Sequence, residues 1–285
     1  MSTDTPKSPV PPAGPSDPGD HDDWRTTFRP DIPSSARIYD YFLGGKDNYP
    51  ADREAARTIT AHLPNIREAA RINRAFVRRA VRYLINEAGI RQLIDIGTGL
   101  PTMGNVHEIA LDADPAARVV YIDHDPVVLA HARNMLQGTA SAVILGHDMR
   151  APADILADRE LRRLVNFDEP VGVLFVSMLH FLSDADDPAA IIGELLAPFP
   201  AGSHVALTHG TADAAPEVNA AARVYDAATT RMRVRSRAEV LALVPGLELV
   251  EPGVVWTPEW HPEPGERLPD RPSDSYYYAL VARKP

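Results

Sequence analysis

Three acidic residues mark the ends of three short apolar stretches, and this pattern is the clearest chemical feature of the sequence. Asp95 lies two residues before the turn Gly97-Thr98-Gly99, where glycine lets the backbone approach a ligand closely. Asp123 ends the second stretch, and a carboxylate there can accept hydrogen bonds from both hydroxyls of a ribose. Asp148 follows the third stretch, where an adenine amino group would need an acceptor. The three acids therefore predict a site for an adenosine-containing ligand.

Two classes of ligand fit these acids, nicotinamide dinucleotides and S-adenosylmethionine. A dinucleotide site favours the pattern G-x-G-x-x-G, whose last glycine allows close helix packing. This chain has Thr102 at that position, preceded by Pro101. A methyltransferase has no pyrophosphate to hold, so it needs only the first glycines, with an acid in the place of Asp95. The spacing favours S-adenosylmethionine, while a NAD(P)-dependent oxidoreductase and a non-catalytic S-adenosylmethionine-binding module stay as alternatives.

The stretches that carry these acids are expected to be parallel strands, because each is apolar along its length and must be covered on both faces. Helix starts lie between strands at Asp125-Pro126, Asp187-Pro188 and Ser236-Arg-Ala-Glu239. Near the end, two strands follow each other without a helix, which favours an antiparallel pair. The predicted fold is an α/β, Rossmann-like, seven-stranded methyltransferase sheet with an antiparallel last strand. Its predicted strands are Gln92–Ile96, Val119–Ile122, Ala142–Leu145, Val171–Val176, Val205–Thr208, Leu247–Val250 and Ser275–Ala282.

The residues before the first strand have a different character. Positions 1–24 are rich in proline and poor in apolar residues, which predicts a disordered tail. Positions 25–90 are mostly helical by pattern and are expected to form an N-terminal helical cap, or lid, ahead of a binding domain at 91–285. One helix face there carries arginines that are expected to be solvated or to touch an anionic group of the ligand: Arg67, Arg71, Arg74, Arg78 and Arg82. A later basic run is predicted to lie on a solvated turn, and it consists of Arg231, Arg233, Arg235 and Arg237.

The composition narrows the class of partner. The 285 residues include no cysteine, which excludes disulfides and thiolate metal sites, and no histidine pair has metal-site spacing. The formal net charge of −10 disfavours a nucleic acid as partner. No apolar run is long enough to span a bilayer, and the first residues lack a secretory signal. These features predict a cytoplasmic protein that acts on a small molecule without a metal, a membrane or a nucleic acid, and they leave the oligomeric state open.

Longer motifs place these residues in a family context. The motifs are Ser35-Ala-Arg-Ile-Tyr-Asp-Tyr-Phe-Leu-Gly-Gly-Lys-Asp-Asn48, Asp52-Arg-Glu54, Asn73-Arg-Ala-Phe76, Ile94-Asp-Ile-Gly-Thr-Gly-Leu-Pro-Thr102, Tyr121-Ile-Asp-His-Asp-Pro126 and Met178-Leu-His-Phe-Leu182. Residues 92–180 resemble the class I S-adenosylmethionine-dependent methyltransferases. The wider range 30–285 resembles more closely one mainly actinobacterial family of S-adenosyl methyltransferases of largely unassigned substrate. The resemblance implies a fold and a cofactor, S-adenosyl-L-methionine, but no acceptor.

The same resemblance implies a role for individual residues. The implied cofactor-binding residues are Asp95, Gly97, Thr98 and Gly99 around the methionine part, Asp123 at the ribose hydroxyls, His124, Asp148 and Met149 at the adenine, and Ser177 below the sulfonium. Many methyltransferases have a third glycine where this chain has Pro101, which could shift the contacts to the methionine carboxylate.

Substrate-side residues are predicted from their places after the strands and in the N-terminal segment. His180 follows the fourth strand, and a neutral imidazole there could take a proton from an incoming hydroxyl or amine. It is the predicted catalytic residue, with a hydrogen-bonded core histidine as the alternative, and His209 is a weaker candidate of the same kind. A segment rich in tyrosine and glycine predicts a lid over the cleft, with core packing as the alternative. Its candidate residues are Tyr39, Tyr41, Asn48 and Tyr49.

Overall fold

Five strands form the parallel part of a central sheet, and they are apolar along their length because helices cover both faces. The computed structural model describes residues 29–101, 104–228 and 230–285, so the predicted tail at 1–24 lies outside the described residues. The parallel strands are β1 Gln92–Ile96, β2 Arg118–Asp123, β3 Ala142–Gly146, β4 Gly172–Val176 and β5 His204–Gly210. All five lie where the sequence predicts a strand.

The last strands are antiparallel, as predicted, but within the described residues the sheet has eight strands where the sequence predicts seven. The three strands after β5 are β6 Glu248–Leu249, β7 Val255–Trp256 and β8 Tyr277–Arg283, and β7 is the one that the sequence does not predict. The order is β3-β2-β1-β4-β5-β8-β6, with β7 also paired to β8. The predicted strand at 247–250 is short because a turn with Pro252 and Gly253 follows it, and Pro252 has no N–H to donate to β8. Pairing with β8 resumes only at Val255.

Helices lie on both faces of the sheet. They are α1 Ser35–Leu43, α2 Pro50–His62, α3 Ile66–Asn86, α4 Val106–Ala113, α5 Pro126–Met135, α6 Pro152–Ala157, α7 Arg159–Leu164, α8 Pro188–Leu196, α9 Glu217–Val224 and α10 Arg237–Leu241. Short 3-10 helices span Leu179–Phe181, Asp184–Asp186, Tyr225–Ala227, Thr257–Glu259 and Pro272–Ser275. The three predicted helix starts are confirmed, since Asp125, Asp187 and Ser236 each accept a hydrogen bond from a backbone N–H of the first turn.

The N-terminal helices contribute to two cores. The apolar stripe of α3, which includes Phe76, Ala80 and Leu84, packs against Leu93 and Leu174 on one face of the sheet. Helices α1 and α2 pack with α9 in a second cluster, which also includes the start of α3 and Tyr277 of β8. Its fully or nearly fully buried members include Ile38, Phe42, Ala56, Ile59 and Val218. Helix α1 is therefore held beside the sheet by a cluster that joins it to α2, α3, α9 and β8.

A buried ion pair joins α1 to α2. The Arg37 Nε donates to Asp52 Oδ2 at 2.8 Å, and both side chains are almost completely buried. Asp52 also accepts the backbone N–H groups of Ser34 and Tyr49, so one carboxylate holds the starts of both helices. The Ser34 hydroxyl then donates to Asp125 at 3.0 Å, which joins α1 to the start of α5.

Strands β1 and β4 part at their carboxyl ends. They pair only from Leu93 to Asp95 on β1 and from Gly172 to Leu174 on β4. Beyond these positions the Gly97 N–H donates to the Ile122 carbonyl of β2, and the Ser177 N–H donates to the Thr208 hydroxyl near the end of β5. The two chains turn away from each other and leave an opening at the sheet edge, where ligands bind in open α/β sheets.

No helix within 29–101, 104–228 and 230–285 has both the length and the apolar character that a bilayer crossing requires.

Candidate active site

A cavity of about 1000 Å³, open mouth included, lies where β1 and β4 part. Its walls come from α1, α3, the turns after β1, β2 and β4, and the segment around residues 225–232. Of the sequence-predicted site residues, the structure brings eight to this cavity. They are Tyr39, Gly97, Thr98, Gly99, Asp123, His124, Ser177 and His180.

The turn after β1 needs its two glycines for different reasons. Gly97 has φ of +70°, and a Cβ there would lie 2.2 Å from the Met178 sulfur. Gly99 has φ of +64°, and a Cβ there would meet no atom within 4 Å, so the space beside it is open. Positive φ favours glycine at both positions, and only Gly97 is also limited by a neighbour. The turn thus presents bare backbone to the cavity at Gly99.

Asp123 holds this turn in place. Its Oδ2 accepts the Gly99 N–H at 3.0 Å, and its Oδ1 accepts the N–H groups of His124 and Asp125. Burial raises the pKa of the Asp123 carboxyl, and the hydrogen bonds from Asp125 and Gly99 oppose that rise. A carboxylate can accept about four hydrogen bonds, so this one keeps capacity for a ligand hydroxyl.

Opposite charges lie at the glycine end of the site. Burial raises the pKa of Asp95 to about 6, against the opposing effects of the Arg74 charge and a hydrogen bond from the Thr98 side chain. Arg74 lines the cavity and donates to the Gly104 carbonyl at 2.9 Å. Among the arginines of the predicted helix face, Arg74 is the one in the described lining of this cavity. Asp95 is not among the described lining residues, but its charge and that of Arg74 together suit a ligand that carries both an ammonium and a carboxylate group.

A hydrogen-bonded cluster of neutral side chains joins three walls of the cavity. The Asn73 Nδ2 of α3 donates to the Tyr39 hydroxyl of α1 and to the Ser177 hydroxyl after β4, both at 2.9 Å. Ser177 has φ of +57°, a left-handed conformation that is uncommon outside glycine. The Asn73 Oδ1 is buried and has no hydrogen-bond partner among the residues that the structure describes. Asn73 belongs to a recognised motif, but nothing in its spacing assigned it a role.

The far end of the cavity is aromatic. The rings of Phe181 and Tyr225 lie 5.5 Å apart, and that of Tyr277 lies 5.9 Å from the His180 ring. Burial raises the pKa of Tyr225 and of Tyr277, so both hydroxyls stay protonated. Met232 also lies at this end, beside Gly210, whereas Met178 lies against the glycine turn at Gly97.

His180 is buried in a setting that keeps its ring neutral. Burial, and then the nearby His209 and Arg235, lower its pKa well below the usual range. Its Nδ1 lies 3.4 Å from the Gly210 N–H and accepts from it, so the ring hydrogen belongs on Nε2. A general base works best with a pKa near the operating pH. These surroundings weaken His180 as a proton acceptor, and its catalytic role stays a prediction.

Several predicted site residues lie away from the described cavity lining. Asp148 pairs with Arg150 at 3.1 Å, and Met149 is buried in the core on one sheet face. Tyr41 stacks under Arg67 at 4.6 Å, and Tyr49 precedes α2 and is 38% exposed. The other two are also engaged elsewhere: Asn48 donates to Asp40, and His209 bonds to Gly210 and Arg235.

Two residues are placed differently from their sequence interpretation. Asp40 of α1, which received no role, lines the cavity and accepts hydrogen bonds from the Asp47 N–H and Asn48. The prediction of a solvated turn is wrong for Arg235, which is 4% exposed and donates to the carbonyls of Leu179 and Leu182. Arg235 thereby fixes the chain beside His180, a long-range contact that the local basic run does not indicate.

The geometry agrees with what known proteins share with this chain. Residues 23–285 match the family model described as S-adenosyl methyltransferase. A DUF574 family protein from Streptomyces avermitilis MA-4680 is 45% identical, with a TM-score of 0.86, and the match covers 90% of this chain and 100% of that one. A candidate methyltransferase from Thermobifida fusca YX is 37% identical, with a TM-score of 0.84 and coverage of 89% and 96%. No curated protein matches. Nothing in these comparisons supports a nicotinamide-dependent oxidoreductase.

Proposed function

Because this chain belongs to the S-adenosyl methyltransferase family, and is therefore an S-adenosylmethionine-dependent methyltransferase, we propose that its cavity brings the cofactor together with a small-molecule acceptor. The observation that carries the proposal is the glycine turn tied to Asp123 at the point where β1 and β4 part. A ligand seated there reaches both the open space at Gly99 and the aromatic end of the cavity.

The residues present fit S-adenosylmethionine. Asp123 keeps acceptor capacity for one ribose hydroxyl, and His124 lies next to it for the adenine. Asp95 and Arg74 offer opposite charges for the ammonium and the carboxylate of the methionine part. When bound, S-adenosylmethionine supplies a methyl group on a positively charged sulfur, so the leaving group needs no further activation.

The protein's own contribution is alignment. Gly97–Gly99 on one side of the opening and Ser177 on the other would fix the cofactor across the parted strands. Helix α1 closes the cavity through Tyr39 and Asp40 and keeps bulk water from the reacting atoms. Holding two reactants in line can account for most of the acceleration that such a transfer requires.

The acceptor is proposed to be a small molecule. The cavity is enclosed by side chains from α1 and from the segment around residue 232, which suits a compact ligand better than a polymer. The formal net charge of −10 opposes association with a nucleic acid.

Isothermal titration of cofactors into matched variants tests this assignment. We expect the wild-type protein to bind S-adenosylmethionine and S-adenosylhomocysteine and not to bind NAD⁺. Asp123→Asn should weaken both by about 10- to 100-fold, because it removes a hydrogen-bonding charge. Asp148→Asn is the control, because its carboxylate pairs with Arg150 away from the described cavity lining.

Two results would count against these assignments. If Asp123→Asn binds both ligands with wild-type affinity, Asp123 is not a cofactor-binding residue. An equal loss in Asp148→Asn would return Asp148 to the adenine edge, where the sequence predicts it.

A further inference from the structure

The orientation of the Asn73 amide is fixed by its neighbours. The Tyr39 hydroxyl has one hydrogen, and it donates that hydrogen to the Ala70 carbonyl at 3.2 Å. Tyr39 can therefore only accept from Asn73, so the amide nitrogen must face Tyr39 and Ser177. Among the residues that the structure describes, none donates to the amide oxygen, although Asn73 is 1% exposed. A buried acceptor without a partner is costly, and here it belongs to a residue that lines a cavity.

The side chains that are hydrogen-bonded to Asn73 carry no charge, although the nearby Arg74 guanidinium partly opposes the rise that burial causes in the pKa of Tyr39. Tyr39 and Ser177 bond to Asn73 directly, and Tyr277 bonds to Ser177. Phe181 and Tyr225 add two aromatic rings to the same wall of the cavity. An ionised acceptor would lose its hydration against these neutral groups, whereas a flat apolar ring would pack well.

The charged residues that line the described cavity have partners other than the Asn73 oxygen, and Asp123 among them holds the glycine turn and is assigned above to the cofactor. Asp125 accepts from Ser34, and Asp40 accepts from the loop at residues 47–48, both on the side of α1 and β2. Arg74 donates to the Gly104 carbonyl, and its charge acts on Asp95 at the glycine turn. Under the proposed function Asp95 serves the cofactor's ammonium at the glycine end, which leaves the Asn73 oxygen for the second substrate.

We propose that the acceptor is an uncharged aromatic molecule with a hydroxyl group, which packs among Tyr39, Phe181, Tyr225 and Tyr277 and donates its hydrogen to the Asn73 Oδ1. The proposal rests on the function proposed above, because it names the class of its second substrate. It makes Asn73 a binding residue that selects for a neutral hydrogen-bond donor.

Four probes of one shape test the proposal: 4-methylphenol, 1,4-dimethylbenzene, 4-methylbenzoate and 4-methylbenzylammonium. Each is titrated into the full chain saturated with S-adenosylhomocysteine, with binding followed by ligand-observed NMR. We expect 4-methylphenol to bind about 10-fold tighter than each of the other three, the factor for one hydrogen bond without a charge penalty.

Two variants assign that preference to Asn73. Asn73→Leu should lower the affinity for 4-methylphenol to that for 1,4-dimethylbenzene and leave the affinity for S-adenosylhomocysteine unchanged. Tyr39→Phe keeps the ring but removes the hydroxyl that orients the amide, so it should lower the preference at least about three-fold even if Asn73→Leu does not fold. Tyr83→Phe, outside the described cavity lining, is the matched control and should keep the full preference.

Several outcomes would overturn the inference. Tighter binding of either charged probe, or no binding of 4-methylphenol to a protein that binds S-adenosylhomocysteine, would exclude the proposed acceptor class. If Asn73→Leu weakens S-adenosylhomocysteine but not 5′-methylthioadenosine, which lacks the amino-acid part, Asn73 serves the cofactor's ammonium instead. Failure of the wild-type protein to bind S-adenosylhomocysteine would be a different result, because it contradicts the proposed function itself.

Discussion

At the scale of single residues, Asp95 links protonation to stability. Burial raises its pKa from 3.8 to about 6, so its ionised form destabilises the folded state. That cost is absent below about pH 4 and complete above about pH 6. We expect Asp95→Asn to raise the free energy of unfolding, with a gain about 1 kcal/mol larger at pH 8 than at pH 5.

Urea titration at the two pH values measures this difference. Asp114→Asn is a control with the opposite sign, because Arg91 lowers the pKa of Asp114 and its ionised form is favoured. A gain in Asp95→Asn that is the same at both pH values would contradict the assigned pKa.

The protonation state of His180 decides whether this residue can act as a general base. Its Nδ1 accepts from Gly210, and burial beside His209 and Arg235 lowers its pKa, so the ring stays neutral at physiological pH. We expect His180→Gln to lower turnover by less than about 10-fold and to leave the pH profile unchanged between about pH 6 and 9. Steady-state methyl transfer measures both. A loss of about 10²- to 10⁴-fold together with a changed pH profile would instead make His180 the general base.

Residues with local signals were predictable, and residues joined across the chain were not. Gly97, Gly99 and Asp123 lie at strand ends, and the structure brings all three to the cavity because parallel strands share one edge. Asn73 bonds to Ser177, which is 104 positions away, so no spacing rule connects them. Asp148 follows its strand as predicted, but a neighbouring arginine takes its carboxylate.

At the scale of elements, the buried Asp52 carboxylate determines whether α1 stays in place. It accepts from the Ser34 N–H, the Arg37 Nε and the Tyr49 N–H, all at 2.8–2.9 Å. Asp52→Asn removes the charge and turns one oxygen into a donor. We expect a loss of about 3–5 kcal/mol, the cost of breaking a buried pair, and faster hydrogen exchange over residues 34–62.

Hydrogen exchange followed by mass spectrometry locates the effect. The parallel strands should keep their protection, and Asp31→Asn should have almost no effect because its pair with Arg29 is exposed. Equal loss of protection in the sheet would show that Asp52 supports the whole fold and not α1 and α2 alone.

The elements differ in how far the sequence predicts them. Continuous apolar runs predict the five parallel strands, because burial on both faces leaves no room for polar positions. The edge of the sheet is less predictable, since β6 and β7 depend on where β8 offers free pairing partners. The packing of α1 and α2 against α9 is also absent from local patterns, because amphipathic helices show which face is buried but not the partner.

At the scale of the whole molecule, the cavity is assembled from distant parts of the chain. Helix α1 provides Tyr39 and Asp40, α3 provides Asn73, and β8 provides Tyr277. Each of these parts is held by its own packing, so the cavity forms when the complete fold forms. The formal net charge of −10 opposes association with other polyanions, and it does not act on the uncharged side chains at the aromatic end of the cavity.

The parting of β1 and β4 has a consequence for the lifetime of the folded protein. These strands share only the pairing from Leu93 to Asp95, so this seam is the shortest among the parallel strand pairs of the described sheet. Under the proposed function, a bound cofactor touches Gly97–Gly99 on one side of the seam and Ser177 on the other. The bound cofactor would therefore bridge the two strands. Where unfolding begins by separating β1 from β4, the cofactor must leave first, so the unfolding rate falls. A cell rich in the cofactor would then hold this protein folded for longer, whatever the acceptor supply.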